Sequence, residues 1–152
     1  MGVVNVSVAG CKIELFEPAS CEAYATEAPP WMKGIIKTYG GNPYQWLVDA
    51  AKQARRDGVI KGILLHQGES NTGDRSWPGK VKGVYAGLLT DLDLKAEDVP
   101  LIAGEVVNAD QQGACASMNS IIGDLPKTIP TAHVISSAGC PAKPDRLHFT
   151  PA

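Results

Sequence analysis

Two short polar stretches in this sequence have the residue types and spacing for acyl-transfer chemistry. The first is His66-Gln67-Gly68-Glu69-Ser70-Asn71, which follows the apolar run Ile63-Leu64-Leu65 directly. A side-chain amide such as that of Gln67 can donate to a developing oxyanion, and a glycine N–H such as that of Gly10 can be a second donor. In that reading His66 and Glu69 support the loop through hydrogen bonds, and Asn71 lies on the substrate side. The second stretch is Asp145-Arg146-Leu147-His148. An aspartate three residues before a histidine in a tight turn can accept the Nδ1–H of the ring, leaving Nε2 to take a proton from a nucleophile. The bland alternatives are a polar turn at a strand end and a surface turn with an incidental histidine.

Other chemistries fit less well. His66-x-x-Glu69 is not HExxH, and Pro78 follows too soon for a long metal-binding helix to start at the motif, so zinc is disfavoured. Gly68-Glu69-Ser70-Asn71-Thr72 approaches the GxSxG nucleophile elbow, but Thr72 stands where a close-packing glycine belongs. Trp77, beside the HQGESN loop, is the aromatic expected to line a pocket, whereas Trp46 is expected on the core face of a helix. His133, inside an apolar run, is expected to be a hydrogen-bonded core residue.

These groups must be held by regular elements. Val3–Val8 reads as a strand, and residues 17–41 as a long loop with a short helix near Trp31–Thr38. Asn42, Pro43 and Gln45 mark a helix start, and Gly58 its end; Trp46, Leu47, Ala50, Ala51 and Ala54 make its apolar face. A strand over Val59–Leu65 and a helix after Pro78, with Val81, Val84, Tyr85, Leu88, Leu89 and Leu92 inward, come next. They are followed by a strand over Leu101–Val107, a helix over Ala116–Leu125 and a strand over Thr131–Ser136. Alternating apolar strands and helices predict an α/β fold: a three-layer α/β/α arrangement around a parallel sheet. In such sheets the active crevice lies beyond the carboxyl ends of the strands, where Gly10, the HQGESN loop and the Asp145–His148 turn all fall.

Composition narrows the class. The 152 residues suit one domain, and a formal charge of −2 without a basic stripe argues against nucleic acid. No apolar run is long enough to span a bilayer as a helix. The four cysteines, Cys11, Cys21, Cys115 and Cys140, show no CxxC spacing. Pairing as Cys11–Cys21 and Cys115–Cys140 and reduced buried thiols are both compatible with the sequence.

Taken together, VNVSVAGCKIELF, HQGESN and DRLHFT, in that order, resemble the SGNH/GDSL hydrolase superfamily. The resemblance spans nearly the whole chain and is closest to the family-six acetylxylan esterases and the sialate O-acetylesterases. It implies a single partial esterase domain over residues 1–152 that hydrolyses acetyl esters on sugars by a Ser-His-Asp mechanism without metal or cofactor. It also implies a secreted or periplasmic setting. His148 would be the base, Asp145 the orienting acid, Gln67 and Gly10 the oxyanion donors; Glu69 is a second candidate carboxylate, and His66, Asn71 and Trp77 would face substrate. Ala9-Gly10 stands where the family commonly has Gly-Gly. The family's serine block, GQSN or GDS, occurs nowhere in the 152 residues, and the end looks clipped after HFT. The resemblance therefore leaves three expectations: a first strand supplied by a second copy or a complementing segment, a sheet that closes up without it, or a truncated product of marginal stability. A binding or structural remnant that keeps the pocket without the chemistry is the competing expectation.

Overall fold

The computed structural model describes residues 2–151. Three short strands, β1 (Ile63–Leu65), β2 (Leu101–Gly104) and β3 (Ala132–Ile135), form a wholly parallel sheet in the order β1-β2-β3. Six helices accompany them: α1 (Cys21–Glu27), α2 (Pro30–Thr38), α3 (Pro43–Ala54), α4 (Trp77–Asp91), α5 (Met118–Ile122) and α6 (Leu125–Thr128). The predicted parallel α/β class is what the chain adopts.

Helix α3 begins as its sequence dictates. Asn42 accepts a hydrogen bond from the Gln45 N–H through its side chain, and Pro43 occupies the first turn, where no N–H is needed. Its buried face, however, is Tyr44, Val48 and Ala51, and Trp46 is 47% exposed. The register turned because Tyr44 can be buried with its hydroxyl satisfied: it donates to Asp91 Oδ2 at 2.6 Å. Pro126 sits in the first turn of α6, and the single helix expected over Ala116–Leu125 is instead two short ones meeting at Gly123-Asp124. Residues 17–41, expected as loop with one short helix, hold both α1 and α2.

Two apolar clusters result. The main one joins Tyr44 and Val48 of α3, Trp77, Val81 and Leu88 of α4, Met118 and Ile122 of α5, and Leu125 of α6 to Leu101, Ala103 and Ala132 of the sheet. The smaller one gathers Val8, Cys11, Leu15, Cys21, Met32 and Ile36 under α1 and α2. The sheet face opposite the main cluster is open. Leu64, Ile102 and His133 lie in one cross-strand row, and Leu64 is 72% and Ile135 57% exposed.

That open face corrects two expectations. His133 is exposed, because its side chain points away from the covered side of β3. Residues Val3–Val8 form no strand; Val3 and Val4 are exposed, and only Val8 is buried. A β-branched run needs a paired neighbour to become a strand, and none lies beside it. All four cysteines are free, the second of the two arrangements compatible with the sequence; Cys11 and Cys21 are buried, Cys115 is half-buried and Cys140 is exposed.

Candidate active site

The loop after β1 is shaped by close packing. At Gly68 a Cβ would meet the Met118 side chain at 3.1 Å and Ile122 at 3.3 Å, so only glycine lets the backbone pass over α5. A single helical turn, Glu69–Asn71, follows and turns the side chains of Gln67 and Asn71 inward.

Gln67 is locked from three sides. The Trp77 indole N–H donates to its Oε1 at 2.6 Å, which fixes the amide orientation. Its NH₂ then donates to the Cys11 carbonyl at 3.2 Å and to Asn71 Oδ1 at 2.9 Å. Trp77 is therefore no pocket wall: it is 0% exposed, and its role is to aim Gln67. Asn71 is likewise turned away from solvent, at 3% exposure. Its Oδ1 also accepts from the Ile13 N–H, and its NH₂ donates to Glu14 Oε2 at 3.0 Å. Of the three residues expected on the substrate side, Asn71 and Trp77 are supports, because each has an indole or amide group that burial obliges to find partners.

Behind them lies an ionic knot that the sequence reading missed. Lys80 Nζ donates to Glu14 Oε1 at 2.6 Å and to Asp74 Oδ2 at 2.7 Å, so one ammonium holds two carboxylates. Lys80 is pushed above the ordinary lysine range by those hydrogen bonds, and Asp74 falls well below the ordinary carboxylate range. Burial works to raise Glu14, but the bonds from Lys80 and Asn71 outweigh it and hold Glu14 low as well. The residues are far apart in sequence and in ordinary contexts, so no motif could have flagged them.

Gly10 lies against this loop. It takes φ +66°, and its carbonyl accepts the Ser70 hydroxyl at 2.8 Å. Ser70 is thereby engaged with a backbone oxygen, and among the described residues it has no hydrogen bond to a histidine. The Cys11 thiol beside it is pushed up to about 11, chiefly by burial, and is no thiolate nucleophile at neutral pH.

The third piece is a small hairpin. Ala142 and Phe149 form an antiparallel bridge, and Lys143 N–H donates to the His148 carbonyl at 2.8 Å. Asp145 ties the turn together. Its Oδ1 accepts from the N–H groups of Leu147 at 2.9 Å and His148 at 3.0 Å, and its Oδ2 lies 2.9 Å from His148 Nδ1. A carboxylate can only accept, so Nδ1 carries the proton and the neutral ring offers Nε2 outward. The Leu147 amide above all, then the His148 ring and amide, draw the Asp145 carboxyl down to about 2. Both side chains are exposed.

Two contacts seat this hairpin beside the Gln67 loop. Ala114 N–H donates to the Arg146 carbonyl at 3.0 Å, and the Phe149 ring leans on His66 with centroids 5.9 Å apart. His66 is thus a platform for the hairpin, and its Nε2 faces Glu69 Oε1 at 3.7 Å. The Glu69 carboxylate faces His66 and makes no hydrogen bond to His148 among the described residues. Glu105, at the end of β2, was not singled out by spacing. Its Oε2 accepts from Asn108 Nδ2, Ser136 Oγ and the Ser137 N–H, tying the loops after β2 and β3 together. A shallow, open depression lies away from these residues, lined by Cys21, Lys33, Gly41 and Asn42.

The turn after β1 thus touches both other pieces: Gln67 reaches the Cys11 carbonyl and Ser70 the Gly10 carbonyl, while the hairpin of Asp145 and His148 leans on His66 through Phe149. Comparison with known proteins agrees on the kind of fold. An X-ray structure of an Arabidopsis thaliana protein is similar with a TM-score of 0.65 at 20% identity, over 93% of this chain and 50% of that one. The chain thus spans half the length of the solved structure it matches. The family model described as carbohydrate esterase, sialic acid-specific acetylesterase matches residues 1–152. On that match over its whole length, the chain belongs to this carbohydrate esterase family.

Proposed function

We propose that this chain carries the base, the orienting acid and the oxyanion arm of a carbohydrate O-acetylesterase whose nucleophilic serine comes from outside residues 1–152. The observation that supports it most is the Asp145–His148 geometry: one carboxylate fixes both the turn and the ring tautomer, leaving Nε2 open. In the reaction, a serine hydroxyl gives its proton to His148 Nε2 as it attacks the acetyl carbonyl. His148 then protonates the departing sugar oxygen, and water repeats the sequence to release acetate. Gln67 Nε2 and the Gly10 N–H are the oxyanion donors of this reading. Xylan or sialic acid as the acetylated sugar, and a secreted or periplasmic setting, belong to the same proposal.

One observation favours a second reading. Both hydrogens of the Gln67 amide are already taken, by Cys11 and Asn71, so a resting site of this form has one oxyanion donor engaged in structure. A remnant that binds acetylated sugar without turning it over would keep that arrangement. The longer bond, to Cys11, is the one an esterase must open.

A fluorophosphonate probe with peptide mapping separates the readings, with acetyl release from p-nitrophenyl acetate followed in parallel. Residues 1–152 alone should show neither labelling nor His148-dependent release. A single labelled serine within the chain, lost in His148→Ala together with turnover, would sink the assignment of an external nucleophile.

A further inference from the structure

Trp31 follows Pro30 in the first turn of α2 and is 55% exposed. The helix buries Met32 and Ile36 in the small cluster, which leaves the indole outside that packed face. Exposure alone would mean little, since single apolar side chains are ordinary on a protein surface. The position of the ring is another matter. A Cβ at Gly10 would meet Trp31 Cη2 at 3.2 Å and Cζ2 at 4.0 Å, so the benzo edge of the indole lies against the glycine. Gly10 is suited to its place twice over: its φ is +66°, and a side chain there would crowd the ring. Its carbonyl accepts the Ser70 hydroxyl, and the next carbonyl, that of Cys11, accepts from Gln67. An open indole thus stands at the turn that links Gly10 to the Gln67 loop.

Two tyrosines keep it there. The Tyr39 hydroxyl accepts from the Ser7 N–H at 3.3 Å and donates to the Ser7 carbonyl at 3.2 Å. The Tyr24 hydroxyl accepts from the Lys12 N–H at 3.0 Å. Tyr39 ends α2 and Tyr24 lies in α1, so the backbone is tied to this helix pair on both sides of Gly10. The relation between ring and turn is therefore built before any ligand arrives, and such preorganisation lowers the cost of binding.

We infer that Trp31 is the platform on which the pyranose ring of the acetylated sugar stacks. The inference rests on the esterase reading for the acetyl group, and on the placement of Trp31 beside Gly10 for the platform. The chain belongs to a carbohydrate esterase family, which makes a sugar the ligand to fit. A pyranose has an apolar face of axial C–H groups. That face can cover an indole and recover the apolar surface it leaves in water, while the hydroxyls around the sugar ring stay solvated. An acetyl substituent at the edge of a sugar lying on Trp31 is then carried toward Gly10. Trp46 supplies the comparison. It is 47% exposed, but it packs edge-on against Tyr39 with centroids 6.0 Å apart, beyond the far end of α2.

The test uses ¹⁵N-labelled residues 1–152 and two probes, acetylated xylotriose and an O-acetylated N-acetylneuraminic acid. At least one probe should shift the indole N–H signal of Trp31, identified by its loss in Trp31→Phe, and leave those of Trp46 and Trp77 in place. Which probe does so tells the two sugars apart. Trp31→Ala should weaken binding at least ~10-fold, whereas Trp31→Phe should retain most of it and Trp46→Ala all of it. Trp31 is largely exposed, so its variants should melt with the parent; the indole shift of the parent depends on no variant. The inference is overturned if neither probe at ~10 mM moves the Trp31 signal, if Trp46 moves equally, or if Trp31→Ala binds as the parent does. This readout needs no turnover. A serine labelled by fluorophosphonate within the chain would overturn the external nucleophile and leave the platform in place. An unmoved Trp31 would remove the platform and leave that nucleophile assignment intact.

Discussion

The indole of Trp77 and the amide of Gln67 are joined by a 2.6 Å hydrogen bond, and the indole has no exposed surface. This bond, together with the Cys11 carbonyl on the other side, decides which way the Gln67 amide faces. An indole N–H can only donate, so the carbonyl end must turn toward it and the NH₂ end toward Cys11 and Asn71. The same bond couples the rim to the middle of the main apolar cluster, where Trp77 packs.

Trp77→Phe keeps most of the apolar volume and removes the donor. The expected cost is about 1–3 kcal/mol, from a buried amide oxygen left without its partner and a small cavity. Urea denaturation measures it. In the amide region of a ¹⁵N spectrum, the Gln67 side-chain pair should lose its distinct, protected signals. A variant as stable as the parent with unchanged Gln67 signals would show that the bond does not govern the amide.

Asp145→Asn tests the turn. In the parent, Nδ1 of His148 should be the protonated nitrogen of the neutral ring, and ¹⁵N shifts of the imidazole read this directly. In the variant the preference should weaken or reverse. In a complex that supplies the nucleophile, acetyl hydrolysis should fall ~10²–10⁴-fold, with the melting temperature little changed. The parent turn also has a pH signature. Asp145 titrates at about 2 in the folded chain against an ordinary 3.8. Its contribution is therefore complete above the ordinary value and is lost as pH falls from there toward 2. The Leu147 and His148 amide shifts should follow the same low midpoint; a midpoint near 4 would sink the turn as described.

Gly68→Ala places a methyl 3.1 Å from Met118 and 3.3 Å from Ile122, neither of which is exposed. The expected destabilisation is about 1–3 kcal/mol, the ordinary cost of overpacking, because the Met118 and Ile122 side chains must move aside and the residue keeps a positive φ. Denaturant unfolding gives the number, and a neutral result would mean that α5 yields freely.

The Lys80 knot sets a second pH dependence. Glu14 and Asp74 are held low, so their contribution is present above the ordinary carboxylate range and is lost as pH drops through it. Lys80 is held high, so its contribution is complete below the ordinary lysine value and is lost as pH rises from there toward the raised one. Lys80→Met should lower stability by about 1 kcal/mol at neutral pH and flatten the acid limb of the stability curve. An unchanged acid limb would count against the knot.

How much of this was legible varied with the physics behind each feature. The Asn42 cap and Pro43 start of α3 are local effects, and the chain obeys them. The buried face of α3 is not local: apolar side chains point several ways, and a distant acceptor, Asp91, let Tyr44 in and left Trp46 out. The Asp145 turn could be read because its bonds span three residues. The bonds that join Asn71 and Lys80 to Glu14 could not, because that partner lies 57 and 66 residues away. Val3–Val8 has strand chemistry without a strand, since pairing is a property of neighbours. Trp77 was rightly placed beside the Gln67 loop and wrongly given to the solvent side, since sequence proximity says nothing about which side of a loop a ring takes.

The two apolar clusters meet at the Gln67 side chain. Cys11 belongs to the small cluster under α1 and α2, while Gln67 is anchored through Trp77 to the large one. The bond from Gln67 to the Cys11 carbonyl therefore stitches one core to the other. A change of packing in either core is felt at this amide, so substitutions remote from the loop can reach it through the body of the protein.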